Sequence, residues 1–288
     1  MAAVPAIVPV VLLLGLLGLA IAALREAVLE SGYTRVDTAS LQVVGTPVWA
    51  DPRWELELGD AVAALAPFDP DVAEPQRELL EVFDDLSFVA RVGEARVIWP
   101  DGVEVELELR RPLACLRVGN GYLAVGETGK VLAGEWTAPP FARSAFLPVI
   151  GPNDGSFDEW EPGMELLEQR HLDGLAIALS MWSDLEPAAR RGLGRCLIDA
   201  TRARDAGPRE PGALLLLEGG REIHWGRSPN QDEPGELPVA IKWDHVERGL
   251  EILGGEDPDD DWVVLDVRWD EPVLRAERDE DDGSAGSR

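Results

Sequence analysis

Arg96-Val97-Ile98-Trp99-Pro100-Asp101-Gly102-Val103-Glu104-Val105-Glu106-Leu107-Glu108-Leu109 is the stretch that decides the fold. From Val103 to Leu109 apolar and acidic residues alternate. That is the period of a strand with one face in a core, so Val103, Val105, Leu107 and Leu109 point inward and three glutamates meet water. Trp99-Pro100-Asp101-Gly102 reads as the tight turn before it, and Val89–Ile98 as the strand entering that turn.

Upstream of this hairpin, Leu41–Val44 is a short β-branched run closed by Gly45. Leu56, Leu58, Val62 and Leu65 then recur at helical spacing, and so do Leu79, Leu80, Val82, Phe83 and Leu86 after Glu74-Pro75. The order over residues 38–111 is therefore β-α-α-β-β.

Downstream, short strands are expected at Cys115–Val118, Tyr122–Val125 and Lys130–Leu132, separated by glycine-bearing turns. A Pro- and acid-rich connection over 135–163 leads to a helix near 164–182 and a second near 187–200. Strands follow at 213–218 and 221–225 with Gly219-Gly220 between them, then a helix over 238–253, a strand at 262–268 and a last one at 273–275. Residues 277–288 are acidic and free of large apolar side chains, the composition of a disordered tail.

At the other end, Ala2–Leu24 contains no charged residue, against the roughly 20 apolar residues that cross a hydrocarbon core as helix. The expectation is a transmembrane helix over 4–24. Ala20-Ile21-Ala22 also has the small-x-small form of a signal-peptide cleavage site, but the run lacks a basic start. Arg25 and Arg35 alone leave orientation undecided by charge.

With 26 Lys+Arg against 54 Asp+Glu the net charge is −28, which repels nucleic acid. Cys115 and Cys196 form no C-x-x-C pair, and His171, His224 and His245 form no zinc motif. Gly126-Glu127-Thr128-Gly129-Lys130 imitates the end of a phosphate loop, but Ala124 stands at the first glycine position and Val131 where Ser or Thr is required. Asp257, Asp259 and Asp261 alternate as calcium ligands do, yet Trp262 and Arg268 occupy the glycine and glutamate positions of such a loop. No G-x-S-x-G is present. No catalytic residue, metal, cofactor or small-molecule substrate is expected, and the chain reads as not an enzyme.

Several of these stretches, in order, resemble the FtsQ/DivIB family of bacterial cell-division proteins. They are Val43-Val44-Gly45, Leu86-Ser87-Phe88-Val89, the Trp99-Pro100 hairpin, Arg111-Pro112-Leu113-Ala114, Gly129-Lys130-Val131-Leu132, Leu147-Pro148-Val149-Ile150-Gly151 and Leu265-Asp266-Val267-Arg268-Trp269. The resemblance implies an α+β chain: an N-terminal transmembrane helix, a POTRA-like β-α-α-β-β domain over 38–111, then a mixed β-domain with flanking helices over 112–276. It departs from the family in having no basic tail before the apolar run.

The implied function is a bitopic scaffold that links the cytoplasmic division ring to septal peptidoglycan synthesis by binding FtsB- and FtsL-like partners through sheet edges. The implied place is the division septum, single-pass in the cell inner membrane with the bulk of the chain extracytoplasmic. Partner-binding residues would be Asp266, Val267, Arg268 and Trp269, on a docking strand over 262–269. Arg268 would face acidic partner residues, and Trp269 and Trp262 would supply aromatic area unless they are core. Gly45, Trp99 and Pro100 would hold turns. The alternative is a POTRA-bearing envelope chaperone or secretion component, with a cell-wall hydrolase third.

Overall fold

The computed structural model describes residues 4–30, 41–65, 73–98, 102–142, 145–152, 159–231, 235–253 and 262–276. The chain is mixed α/β and divides into two compact units. The first is 1–46, 55–85 and 91–108; the second is 47–54, 86–90 and 109–288. The tail expected over 277–288, the turn residues Trp99 and Pro100 and the aspartates 257, 259 and 261 lie outside the described residues.

The transmembrane helix expected over 4–24 is corrected. Among the described residues no helix is long and apolar enough to cross a membrane. The apolar run forms helix α1 (Val4–Glu30).

In the first unit β1 (Leu41–Val44) is followed by α2 (Pro52–Ala63) and α3 (Ala73–Asp84), then β2 (Val89–Ile98) and β3 (Gly102–Leu109). The sheet order is β1-β3-β2, with β1 parallel to β3 and Leu41 opposite Val103. The alternating stretch is thus the central strand: Val105 and Leu107 are buried while Glu106 and Glu108 are exposed. Leu58 and Val62 of α2 and Leu79 and Phe83 of α3 are buried too. Each such side chain contributes about 1.5–3 kcal/mol of apolar burial. Gly45 turns the chain after β1 at φ +91°, where a Cβ would press on the Leu107 carbonyl.

The second unit is built on β4 (Pro112–Val118), β5 (Gly121–Gly126), β6 (Val131–Trp136), the small hairpin β7 (Phe141–Ala142) and β8 (Ala145–Phe146), and β9 (Val149–Ile150). Helices α4 (Gln169–Asp184) and α5 (Pro187–Gly192) follow, then β10 (Cys196–Asp199), β11 (Ala213–Leu217), β12 (Glu222–Gly226), α6 (Val239–Leu253), β13 (Val264–Asp266) and β14 (Val273–Arg275). Nine strands make one sheet in the order β14-β13-β12-β11-β10-β9-β4-β5-β6.

Registers place Leu116, Ile150, Ile198, Leu215, Ile223 and Leu265 on one face of this sheet, all buried. Helices α4 and α6 cover that face at close range. A Cβ on Gly174 would fall 2.7 Å from Ile150, and one on Gly249 2.6 Å from Leu265, so both contacts require glycine. The opposite face carries Leu197, Leu214 and Leu216, which are only half-buried.

Two expectations differ here. The helix read over 187–200 stops at Gly192 and the chain continues as β10, because a run as short as Cys-Leu-Ile-Asp carries no period that tells a buried strand from a helix face. The connection over 135–163 contains β9, which pairs in parallel with both β4 and β10. Since β9 separates the strands of Cys115 and Cys196, the two cysteines sit about 10 Å apart across the sheet, beyond disulfide reach. Both are free and buried.

Candidate partner-binding end of the sheet

The segment Asp266-Val267-Arg268-Trp269 was expected on a docking strand, and the structure buries its first two residues, half-buries Arg268 and leaves Trp269 exposed. Strand β13 lies between β12 and β14, so it is not the sheet edge, which is the short strand expected at 273–275. Asp266 and Val267 are fully buried. The docking strand over 262–269 is therefore corrected to a penultimate position, with regular pairing confined to Val264–Asp266. Trp262 is a core residue, its indole N–H donating to the Gly249 carbonyl at 2.8 Å.

Arg268 is not free to meet an acidic partner, because its own neighbour holds it. Its Nε and Nη2 donate to the two oxygens of Asp266 at 2.8 and 2.7 Å, a bidentate pair. Its Nη1 donates to the carbonyls of Gly207 and Glu210, both at 2.7 Å. Arg275 of β14 approaches the same Asp266 carboxylate at 3.6 Å, and the Trp269 indole donates to it at 3.1 Å. Burial would raise the Asp266 carboxyl, but these donors outweigh it and hold it below its ordinary value. The Asp-x-Arg-Trp motif is thus an internal clamp that fixes β14, the 207–210 loop and the Trp269 ring.

A second buried charge adjoins it. The Lys242 ammonium, from α6, donates to the Trp225 carbonyl at 2.9 Å and to Glu236. Burial pushes Lys242 down, and Glu236 offsets only part of that. Gly226, at φ +91°, ends β12 between the two pairs: a Cβ there would strike Glu236 at 2.8 Å and Arg268 at 3.1 Å. Arg227 next to it donates to the carbonyls of Arg204 and Ala206. Sequence reading missed Lys242, Glu236, Gly226 and Arg275. The one available signal was Lys242, one of only two lysines in the chain, on the apolar face of a helix.

What remains outside the clamp is exposed. Trp269 is 44 % exposed, and on the edge strand Val273 and Leu274 are 42 % and 38 % exposed. Among the described residues no strand pairs with the far side of β14.

The β6 end of the same sheet is closed. Val131 exchanges backbone hydrogen bonds with Gly163 and Met164. The Ala133 N–H donates to Ser87 Oγ at 2.8 Å, and its carbonyl accepts from the Trp54 indole at 2.9 Å. The Glu135 carbonyl accepts from Arg53 at 2.5 Å. Trp54 itself stacks flat on Phe88 at 5.0 Å. Ser87 and Phe88 belong to the stretch that resembles a family turn, and here they finish a sheet edge.

Elsewhere in this unit a groove of about 400 Å³ is lined by Tyr122, Leu197, Leu216, Arg195 and Cys196 among others. Burial pushes the Cys196 thiol up to about 12, which keeps it protonated at neutral pH and a poor nucleophile. Gly126–Lys130 is a hairpin turn, the Gly126 N–H donating to the Lys130 carbonyl. Among the described residues no group of three or more His, Cys, Asp or Glu side chains is placed to hold a metal. No family model matches the chain, and no curated protein matches its sequence.

Proposed function

We propose that this chain is a cell-division scaffold of the FtsQ/DivIB kind, acting without catalysis on the extracytoplasmic side of the cell inner membrane at the septum. It gathers FtsB- and FtsL-like partners and so raises their effective concentration beside the wall-synthesis machinery. The observation that carries this reading is the asymmetry of the nine-stranded sheet: capped along β6, open along β14, with Trp269 exposed beside the open strand. An open edge recruits an extended segment by continuing the backbone ladder, and an exposed aromatic beside it supplies contact energy.

Titration of the full chain with an FtsB-like peptide tests this. Trp269→Ala and Leu274→Lys each weaken binding by a factor of roughly 30, as a hot spot worth about 2 kcal/mol does. Unchanged affinity in both variants rules the reading out. In cells, depletion gives long unseptated filaments that keep growing.

A further inference from the structure

The first unit has an open sheet edge of its own, and it is bounded by a helix. Strand β1 pairs with β3 on one side, and among the described residues no strand lies on the other. Between β1 and α2 runs a groove of about 520 Å³, walled by Leu41 and Val43 from the strand and by Leu58, Gly59 and Val62 from the helix, with Glu55 at its rim. Leu41 and Val43 are alternate residues of β1, so both present their side chains to the same face.

Gly59 is the informative residue. It stands inside α2, where glycine weakens a helix, and no turn or close packing calls for it: a Cβ there would meet nothing within 4 Å. The missing side chain leaves the groove floor open.

The charge around the groove is one-sided. Among the described residues that line it, the one charged side chain is the carboxylate of Glu55, and Glu55 and Asp60 on α2 are exposed. A wall of that sign attracts cationic segments and rejects acidic ones.

We propose that the groove between β1 and α2 binds an extended cationic segment of a partner protein, one that adds a strand to β1 and sets alternate apolar side chains against Leu41, Val43, Leu58 and Val62. Backbone pairing gives affinity, the apolar side chains fix the register, and flanking lysines or arginines meet the acidic helix. This site lies in the other unit from β14 and stands whether or not the division reading does.

The test uses the full chain and a short synthetic peptide alternating valine and threonine between lysine pairs, with a glutamate-flanked version as its counterpart. The expected result is saturable binding of the lysine peptide, with amide shifts confined to Leu41–Thr46 and α2. Gly59→Leu, which favours helix while filling the groove, weakens binding at least roughly tenfold. Glu55→Lys combined with Asp60→Lys weakens the lysine peptide and strengthens the glutamate one. Should Gly59→Leu fail to fold, the charge reversal decides alone. The proposal is overturned by an absence of saturation up to about 1 mM, by shifts that map elsewhere, by full affinity in a folded Gly59→Leu protein, or by indifference to the charge reversal.

Discussion

At one end of the nine-stranded sheet β6 meets a serine hydroxyl, an indole N–H and a guanidinium, each on a backbone group that would otherwise accept another strand. At the other end β14 stops after three residues, with its apolar side chains partly in water and its position fixed from behind by a buried carboxylate. Both ends use side chains far away in sequence, but to opposite effect. Capping removes an edge from circulation, and clamping from behind holds an edge in place while leaving it unpaired. Polar residues at a sheet margin therefore need to be read by what they bond: backbone on the outside of the last strand closes it, and a charge on the inside presents it.

Breaking the closed end has the largest expected effect. Trp54→Ala removes a buried indole stacked on Phe88 and strands the Ala133 carbonyl, so stability falls by about 3–5 kcal/mol. A urea unfolding midpoint that barely moves would mean that the cap is decorative. At the open end, Asp266→Asn leaves Arg268 and Arg275 facing a neutral side chain in a buried position and costs about 3 kcal/mol. Arg268→Glu, which sets a carboxylate against Asp266, acts in the same direction and lowers the thermal midpoint before any partner is added. Trp269→Ala removes one donor from the Asp266 carboxylate but leaves the bidentate Arg268 pair, so it costs less, about 1–2 kcal/mol.

These two ends also show what a sequence reveals. Local periodicity and turn chemistry were enough for the alternating strand that became β3 and for Val273–Arg275, because both signals are contained within a few residues. The β6 caps were invisible for a physical reason: Trp54 and Ser87 act on Ala133 from 79 and 46 positions away, and nothing in a serine or a tryptophan announces which distant carbonyl or amide it will serve. Asp266 and Arg268 were noticed for the right stretch and the wrong role. Asp266 ends β13 and Arg268 lies two residues beyond it, where the guanidinium folds back on the carboxylate, so a motif that looked like a partner surface is mostly an interior pair. The strand β9, two residues long and paired on both sides, carries no period at all.

A finer probe of the closed end is Ser87→Ala. Ser87 is buried and its hydroxyl accepts from the Ala133 N–H. Losing it leaves one buried amide unpaired for about 1–2 kcal/mol, and hydrogen exchange at Ala133 accelerates while that of the β11–β12 amides does not. Acceleration across the whole sheet would mean that β6 is not an independently capped edge.

The smallest effect is the pH dependence, and it distinguishes the clamp from its neighbour. The Asp266 carboxyl is held below its ordinary value in the folded chain, so as pH falls the unfolded chain takes up the proton first. Its stabilisation is complete above about pH 4, the unfolded value, and is lost as pH falls through the folded one. The stability gap between the parent and Asp266→Asn is therefore flat from neutral pH down to about pH 5 and narrows below that. Lys242 carries the opposite sign. Burial lowers its pKa in the folded chain, so between that value and about 10.4 the unfolded chain holds more protons and stability rises with pH. Lys242→Met removes the alkaline rise and leaves the acid limb untouched, whereas Asp266→Asn does the reverse. If both limbs disappear in either single variant, the two pairs around Gly226 are one coupled network, and the edge strand β14 is held by four charges instead of by Asp266 alone.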